Sequence, residues 1–187
     1  MSAFHAVILT GPGFQDQDVA VSYYCLKGAG YEVRIATDGG HPVRGKYGMP
    51  VPLDRHAPSC IPFEELAVDD YDLVVLTGGH EAPDRIRQLQ TVKDFVRAMD
   101  QAGKVVAGLC HGPWIMISAG IMKGRRACAY AGMRDDLINA GAIVQEGEVE
   151  VEVDDNIVTC SYYGYVGKFM NVVVELVEQR AAQPAVV

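Results

Sequence analysis

No run in this 187-residue chain approaches the roughly 20 consecutive apolar residues that cross a bilayer, so no membrane span is expected. The start, MSAFHAVILTGPG, turns polar after one short run. It lacks both a basic leader and a small-residue cleavage site, so no signal peptide is expected. Basic residues are the minority, 16 Lys and Arg against 24 Asp and Glu, for a formal charge of −8. They are also scattered, whereas a nucleic-acid partner needs them gathered on one face. Cysteine is sparse: Cys25, Cys60, Cys110, Cys128 and Cys160 form an odd set without a CxxC. That pattern argues against a disulfide framework and for free thiols in a reducing, cytoplasmic setting. It also argues against zinc, whose ligands cluster, and no metal is expected.

What is present suits one globular α/β domain over 1–187, with 180–187 a frayed tail. HAVILT (5–10), YEVRIAT (31–37), YDLVVLTGG (71–79) and KVVAGLC (104–110) read as short β-branched strands. VEVEVDD and NIVTCSYYG read as late paired strands around an Asp154–Asn156 turn; Cys160, and separately Cys128, are expected in strands, as core or near-core thiols. Helical spacing marks 18–30, 91–103, 113–121, 135–142 and 168–180, with Cys25 on the first of these. Residues 38–62, rich in Gly, Pro and His, read as a long excursion with a short hairpin, and PFEEL as a helical turn. Alternating strands and helices predict a mostly parallel sheet with helices on both faces. Ligands of such sheets sit beyond the carboxyl ends of the strands. Three unusual loops converge there: GPGFQDQD, GGHEAPD and CHG.

The last of these carries the sharpest signal. In VVAGLCHGPWIM, Cys110 stands at a strand-to-helix corner with Gly108 and Gly112 two residues to either side. A structural thiol belongs in a packed face; one at a corner is expected to turn toward solvent and the helix start. There the helix dipole would lower its pKa and favour the nucleophilic thiolate. The G-x-C-x-G spacing copies the logic of the G-x-S-x-G elbow, which aims backbone N–H groups at the atom under attack. His111 supplies either a general base or a positive neighbour. Cys60, in a loop, has no base beside it.

GLCHGPWIMISAGIMKGRRACAYAGMRDDLINAGA (108–142), together with the QDQD stretch and LTGGHEAPDRIR, resembles the ThiJ/PfpI family of the class I glutamine-amidotransferase-like superfamily, from residue 5 to about 178. The resemblance implies a flavodoxin-like three-layer sandwich, a homodimer or higher homo-oligomer, and a reactive elbow cysteine. Family members include intracellular cysteine peptidases, glutathione-independent glyoxalases, deglycases, isonitrile hydratases and stress chaperones. On this likeness Cys110 matches the nucleophile and His111 the adjacent histidine. The acid that touches the cysteine falls on Asp18, with Asp16 the runner-up and Gln15 where many relatives carry a further acid. Either Asp could instead cap the first helix. Gly79 and the His111 N–H fit the oxyanion hole. Asp84 matches an acid that meets the histidine of a neighbouring subunit, or else caps a helix near Arg85. His80, Trp114 and Tyr163 are candidates for the pocket wall. Where peptidase members carry Arg, Pro and an acid before the last helix, this chain has CSYYGYVGKF, an aromatic neutral rim. The expected activity is therefore cofactor-independent cysteine chemistry on small reactive carbonyl compounds, of the glyoxalase or deglycase kind. The alternatives are a peptidase or amidase, an isonitrile hydratase, or a redox-sensing chaperone.

Overall fold

The computed structural model describes residues 3–53, 55–147 and 149–182. In chain order the strands are β1 (His5–Leu9), β2 (Glu32–Thr37), β3 (Val43–Arg44), β4 (Pro50–Val51), β5 (Ile61–Pro62), β6 (Leu73–Leu76), β7 (Val105–Leu109), β8 (Val151–Asp154) and β9 (Ile157–Cys160). The helices are α1 (Asp16–Gly28), α2 (Glu81–Ile86), α3 (Gln90–Gln101), α4 (Pro113–Ala119), α5 (Arg134–Asn139) and α6 (Val166–Ala182).

Seven strands form one sheet in the order β5-β2-β1-β6-β7-β9-β8, parallel except for the β8–β9 pair. β3 and β4 make the short antiparallel hairpin expected within 38–62. The strands in the middle of the sheet are apolar on both faces because both are covered. Along β7, Val105, Ala107 and Leu109 join the core that includes Val19 and Leu26 of α1 and Phe169 and Val173 of α6. Val106 faces the opposite core, with Val92, Val96 and Met99 of α3 and Ile115 and Met116 of α4. Apart from Ala107, each of these fully buried side chains contributes about 1.5–3 kcal/mol of transfer free energy. The three-layer α/β sandwich is thus as expected.

Several boundaries differ. α1 begins at Asp16, so neither Asp16 nor Asp18 is its cap; Gln15 holds that position and makes no side-chain cap bond. α2 starts at Glu81 rather than near Arg85, which places Asp84 inside the helix and not at its cap. Cys128 lies outside every strand, on the stretch between α4 and α5. α6 continues to Ala182, and the rest of the expected tail, 183–187, lies outside the described residues.

Candidate active site

β7 ends at Leu109 and the chain reverses direction at Cys110, which adopts φ 59°. Backbone bonds hold it there: Cys110 N donates to Cys160 O (2.8 Å), Tyr130 N donates to Cys110 O (3.0 Å), and Gly112 N donates to Leu109 O (2.8 Å). Gly112 is a steric requirement of this corner, because its neighbour is backbone, whereas Gly108 meets only the flexible tip of Met116. A Cβ on Gly112 would strike Leu76 O, and one on Gly108 would fall 2.7 Å from Met116 Cε. A left-handed conformation at a non-glycine residue costs about 1–3 kcal/mol and persists where its surroundings enforce it.

The corner does not turn the thiol outward. Cys110 is 7% exposed, covered by the chain around it. Burial, and next the nearby Asp18 carboxylate, push the thiol up to about 12, while the N–H groups of His111 and Gly79 pull it down. The expected depressed thiol pKa is therefore absent from the resting site. The corner is packed over rather than opened to solvent.

Asp18 is fully buried beneath the same corner. Its Oδ2 accepts from Gly78 N at 2.8 Å, and among the described residues its Oδ1 has no hydrogen-bond partner. Burial raises its pKa from 3.8 to about 8, against the pull of the Gly78 bond. At neutral pH the acid is therefore largely protonated and able to donate. Gly78 explains how the pair is brought together. A Cβ on it would lie 2.7 Å from both Asp18 Oδ2 and Cys110 Cβ, so the two are within twice that distance of each other. Gly79 has φ 87°, and a Cβ there would strike Gln15 N. Its N–H and that of His111 are the two donors at the sulfur.

Asp16, two residues earlier, is committed elsewhere. Its Oδ2 accepts from Tyr47 N and its Oδ1 from Met49 N, both at 2.9 Å. Gln15 turns its amide to Gln17 Oε1 (2.5 Å) and contributes through its backbone, N to Gly78 O at 3.1 Å.

His111 Nδ1 lies 3.2 Å from Cys110 Sγ. Burial, and then the charges of His80 and Lys46, lower its pKa to about 4. The imidazole is thus neutral at physiological pH, a proton acceptor rather than the positive neighbour that sequence allowed. Its ring stacks on Tyr130 (4.8 Å, 25°) and meets Trp114 (5.0 Å) and His80 (5.8 Å) at steeper angles. Trp114 is fixed by Nε1 donating to Asp136 Oδ2 (2.8 Å) and by the Arg87 guanidinium 5.1 Å above its ring. His80 is exposed at this rim. Tyr163 packs on Tyr162 with ring centroids 4.1 Å apart. Within the chain, Asp84 bonds Arg87 (3.0 Å) and not His111.

Sequence reasoning missed two contributors. Tyr130, the platform for His111, also lines a cavity of about 470 Å³ together with Cys128, Arg134, Leu137 and Tyr162. Lys46 brings a positive charge to bear on Cys110 and His111. Neither had a local signal; both arrive through tertiary packing. Among the described residues, no group of three His, Cys, Asp or Glu side chains is arranged to hold a metal ion, and no helix is long and apolar enough to cross a membrane.

Comparison with known proteins bears directly on this arrangement. The chain is 38% identical over 172 residues to Deglycase PfpI of Pyrococcus furiosus, covering 92% of this chain and 98% of that one. It is 33% identical to Protein/nucleic acid deglycase 2 of Escherichia coli, over 82% of this chain and 86% of the relative. The crystal structure of Drosophila melanogaster DJ-1beta superposes with a TM-score of 0.82 at 22% identity, covering 96% of each chain, a likeness of fold. The family pattern described as DJ-1/PfpI matches residues 5–176, from the first strand through the elbow into the last helix. With its sheet order, its strained elbow cysteine and this match over nearly its whole length, the chain belongs to the DJ-1/PfpI family.

Proposed function

We propose that this chain is a cysteine-dependent enzyme acting on small reactive carbonyl compounds, of the deglycase or glyoxalase kind. The observation that carries the reading is the unpartnered Oδ1 of the buried, largely protonated Asp18 beneath the strained Cys110 elbow. A buried carboxyl oxygen without a partner is costly unless something arrives to use it. The names of the deglycase relatives support the same reading.

The chemistry follows from the groups present. His111 Nδ1 accepts the thiol proton as sulfur attacks the carbonyl carbon, forming the C–S bond and moving the C=O electron pair onto oxygen. The N–H groups of Gly79 and His111 stabilise that oxyanion. Asp18 then supplies a proton to it, completing a hemithioacetal. With a 2-oxoaldehyde, the former aldehyde C–H is next lost as a proton while the adjacent ketone oxygen takes one up, giving an enediol; the carbon that bore that ketone is then protonated and the hemithioacetal O–H proton is lost. The resulting thioester is hydrolysed by water to a 2-hydroxy acid, and the thiol is regenerated. With a hemiaminal adduct, nitrogen takes up a proton and leaves with the C–N electron pair as the hydroxyl gives up its proton and C=O re-forms; the thiol then adds to that aldehyde as above. No step calls for a cofactor. The reading includes a cytoplasmic setting and a homodimer or higher oligomer, in which Asp84 would reach His111 only across an interface between copies.

Turnover of methylglyoxal, its amine adducts and peptide amides by wild type and Cys110→Ser tests this. Lactate is expected from methylglyoxal, lost by about a thousandfold or more in Cys110→Ser and retained in Cys60→Ser. Cleavage of peptide amides with no turnover of either carbonyl substrate would overturn the reading in favour of a cysteine hydrolase.

A further inference from the structure

The loop between β3 and β4 carries Lys46, and its backbone is fastened beside the elbow. Lys46 N donates to Phe14 O at 2.8 Å, and Gly13 N donates to Arg44 O at 2.9 Å. Asp16 holds the next turn of the loop through Tyr47 N and Met49 N. Gly45 fits so closely under Asp16 that a Cβ there would fall 2.5 Å from Oδ2. The segment receiving these bonds leads directly into Asp18 and is tied to Gly78 O through Gln15 N. Loop and elbow therefore share one frame.

The Lys46 side chain itself is exposed. Its ammonium lies 5.7 Å from the Tyr47 ring centroid, and among the described residues no carboxylate pairs with it. Nearby acids are otherwise engaged: Asp16 by the loop backbone, Asp18 by burial and Gly78. The Lys46 charge is felt at both Cys110 and His111, where it favours the thiolate and the neutral ring. An unpaired cation on a loop fastened beside a buried nucleophile attracts anions to that side of the molecule. A lysine does so as a flexible point charge, tolerant of where on the ligand the negative charge lies.

We propose that Lys46 is a specificity-determining residue, recognising the carboxylate of an anionic carbonyl substrate and drawing its carbonyl toward Cys110. The inference rests on the carbonyl reading above and narrows it. The preferred substrates are 2-oxoaldehydes, or their amine adducts, that carry a carboxylate, over neutral dicarbonyls of similar size. The charge acts on binding and orientation, while the bond changes at Cys110 remain those already described.

Two measurements test this, one independent of turnover. Iodoacetate and iodoacetamide alkylate the same thiolate, so the ratio of their rates at Cys110 cancels its degree of ionisation and reads the local potential. Lys46→Gln is expected to lower that ratio about threefold and Lys46→Glu about tenfold, with Lys46→Arg near wild type and added salt shrinking the differences. In the second measurement, kcat/KM for 4,5-dioxovalerate relative to methylglyoxal should fall in the same order. An alkylation ratio unmoved in both Lys46→Gln and Lys46→Glu overturns the proposal. So does a dicarbonyl preference unmoved in Lys46→Glu. If the alkylation ratio falls as expected but wild type turns over neither dicarbonyl, the anion site stands and the carbonyl reading fails, taking the assigned substrate class with it.

Discussion

Among the described residues, two that are not glycine hold a positive φ, and they lie at opposite ends of the sheet: Cys110 at 59° and Asp155 at 55°. Asp155 sits in the turn between β8 and β9, where a short polar side chain tolerates this conformation. Its carboxylate meets Arg180 Nη1 at 2.9 Å and Arg125 Nη1 at 3.8 Å, and the Arg180 hydrogen bond holds its pKa below the usual range. Around it, Arg125 also bonds Asp100 (2.9 Å) and Asn156 (3.1 Å), and Asn156 bonds Lys104 O (2.9 Å). Cys110 is held in its conformation by backbone bonds to Cys160 and Tyr130, and not by ion pairs of its own side chain. Its surroundings hold a protonated acid with a free oxygen, a neutral histidine and an unpaired lysine. One end of the molecule satisfies its polar groups with each other and is structural. The other keeps them unsatisfied and ready to react, the signature of a functional site.

The two ends differ most in their response to pH. Asp18 is raised from 3.8 to about 8, so between those values the folded protein keeps a proton the unfolded chain has released. Its contribution to stability is full below about pH 4 and is lost as pH rises through 8. His111 runs the other way: lowered from 6.5 to about 4, it loses stability as pH falls through that window. The two oppose each other below 6.5, which leaves Asp18 visible from 6.5 to 8. Urea unfolding of wild type should show stability falling there by up to about 1.4 kcal/mol per pH unit, and Asp18→Asn should be flatter. Equal slopes would mean Asp18 is already ionised at neutral pH.

Next in size is the backbone strain at the elbow. Glycine accepts φ 59° and alanine does not, so Cys110→Gly should be more stable than Cys110→Ala by about 1 kcal/mol in denaturant titration. The reverse order would show the corner to be unstrained. The smallest effect belongs to the structural end. Asp155→Asn keeps a residue that tolerates the turn and removes an exposed ion pair, so its cost should stay within about 1 kcal/mol.

Much of this was legible in the chain itself. The β-branched runs and their glycine stops located the central strands, and the two glycines around Cys110 announced the elbow, Gly112 because only glycine fits against Leu76 O. The conformation of a corner is a local property and leaves a local trace. Its burial is not. Nothing adjacent to Cys110 in sequence shows that Asp18, 92 residues earlier, packs beneath it, so the thiol and His111 were read as more solvated than they are. Asp16 and Asp18 looked alike as helix caps because aspartate favours such positions; they differ only once the 45–49 loop claims the first and Gly78 the second. Lys46 and Tyr130 escaped notice for the same reason. Their roles come from contacts between distant segments, which residue spacing does not encode.

In the mechanism proposed above, Asp18 supplies the proton to the oxyanion that forms when the Cys110 sulfur adds to the carbonyl. The most direct measurement is methylglyoxal turnover by Asp18→Asn, with stoichiometric alkylation of Cys110 confirming that the elbow is intact. Asparagine keeps the shape of the side chain and removes its exchangeable acid proton. The expected result is a fall in kcat/KM of about a hundredfold or more while Cys110 still takes up one alkyl group per chain. Turnover equal to wild type, with the same alkylation, would contradict that role.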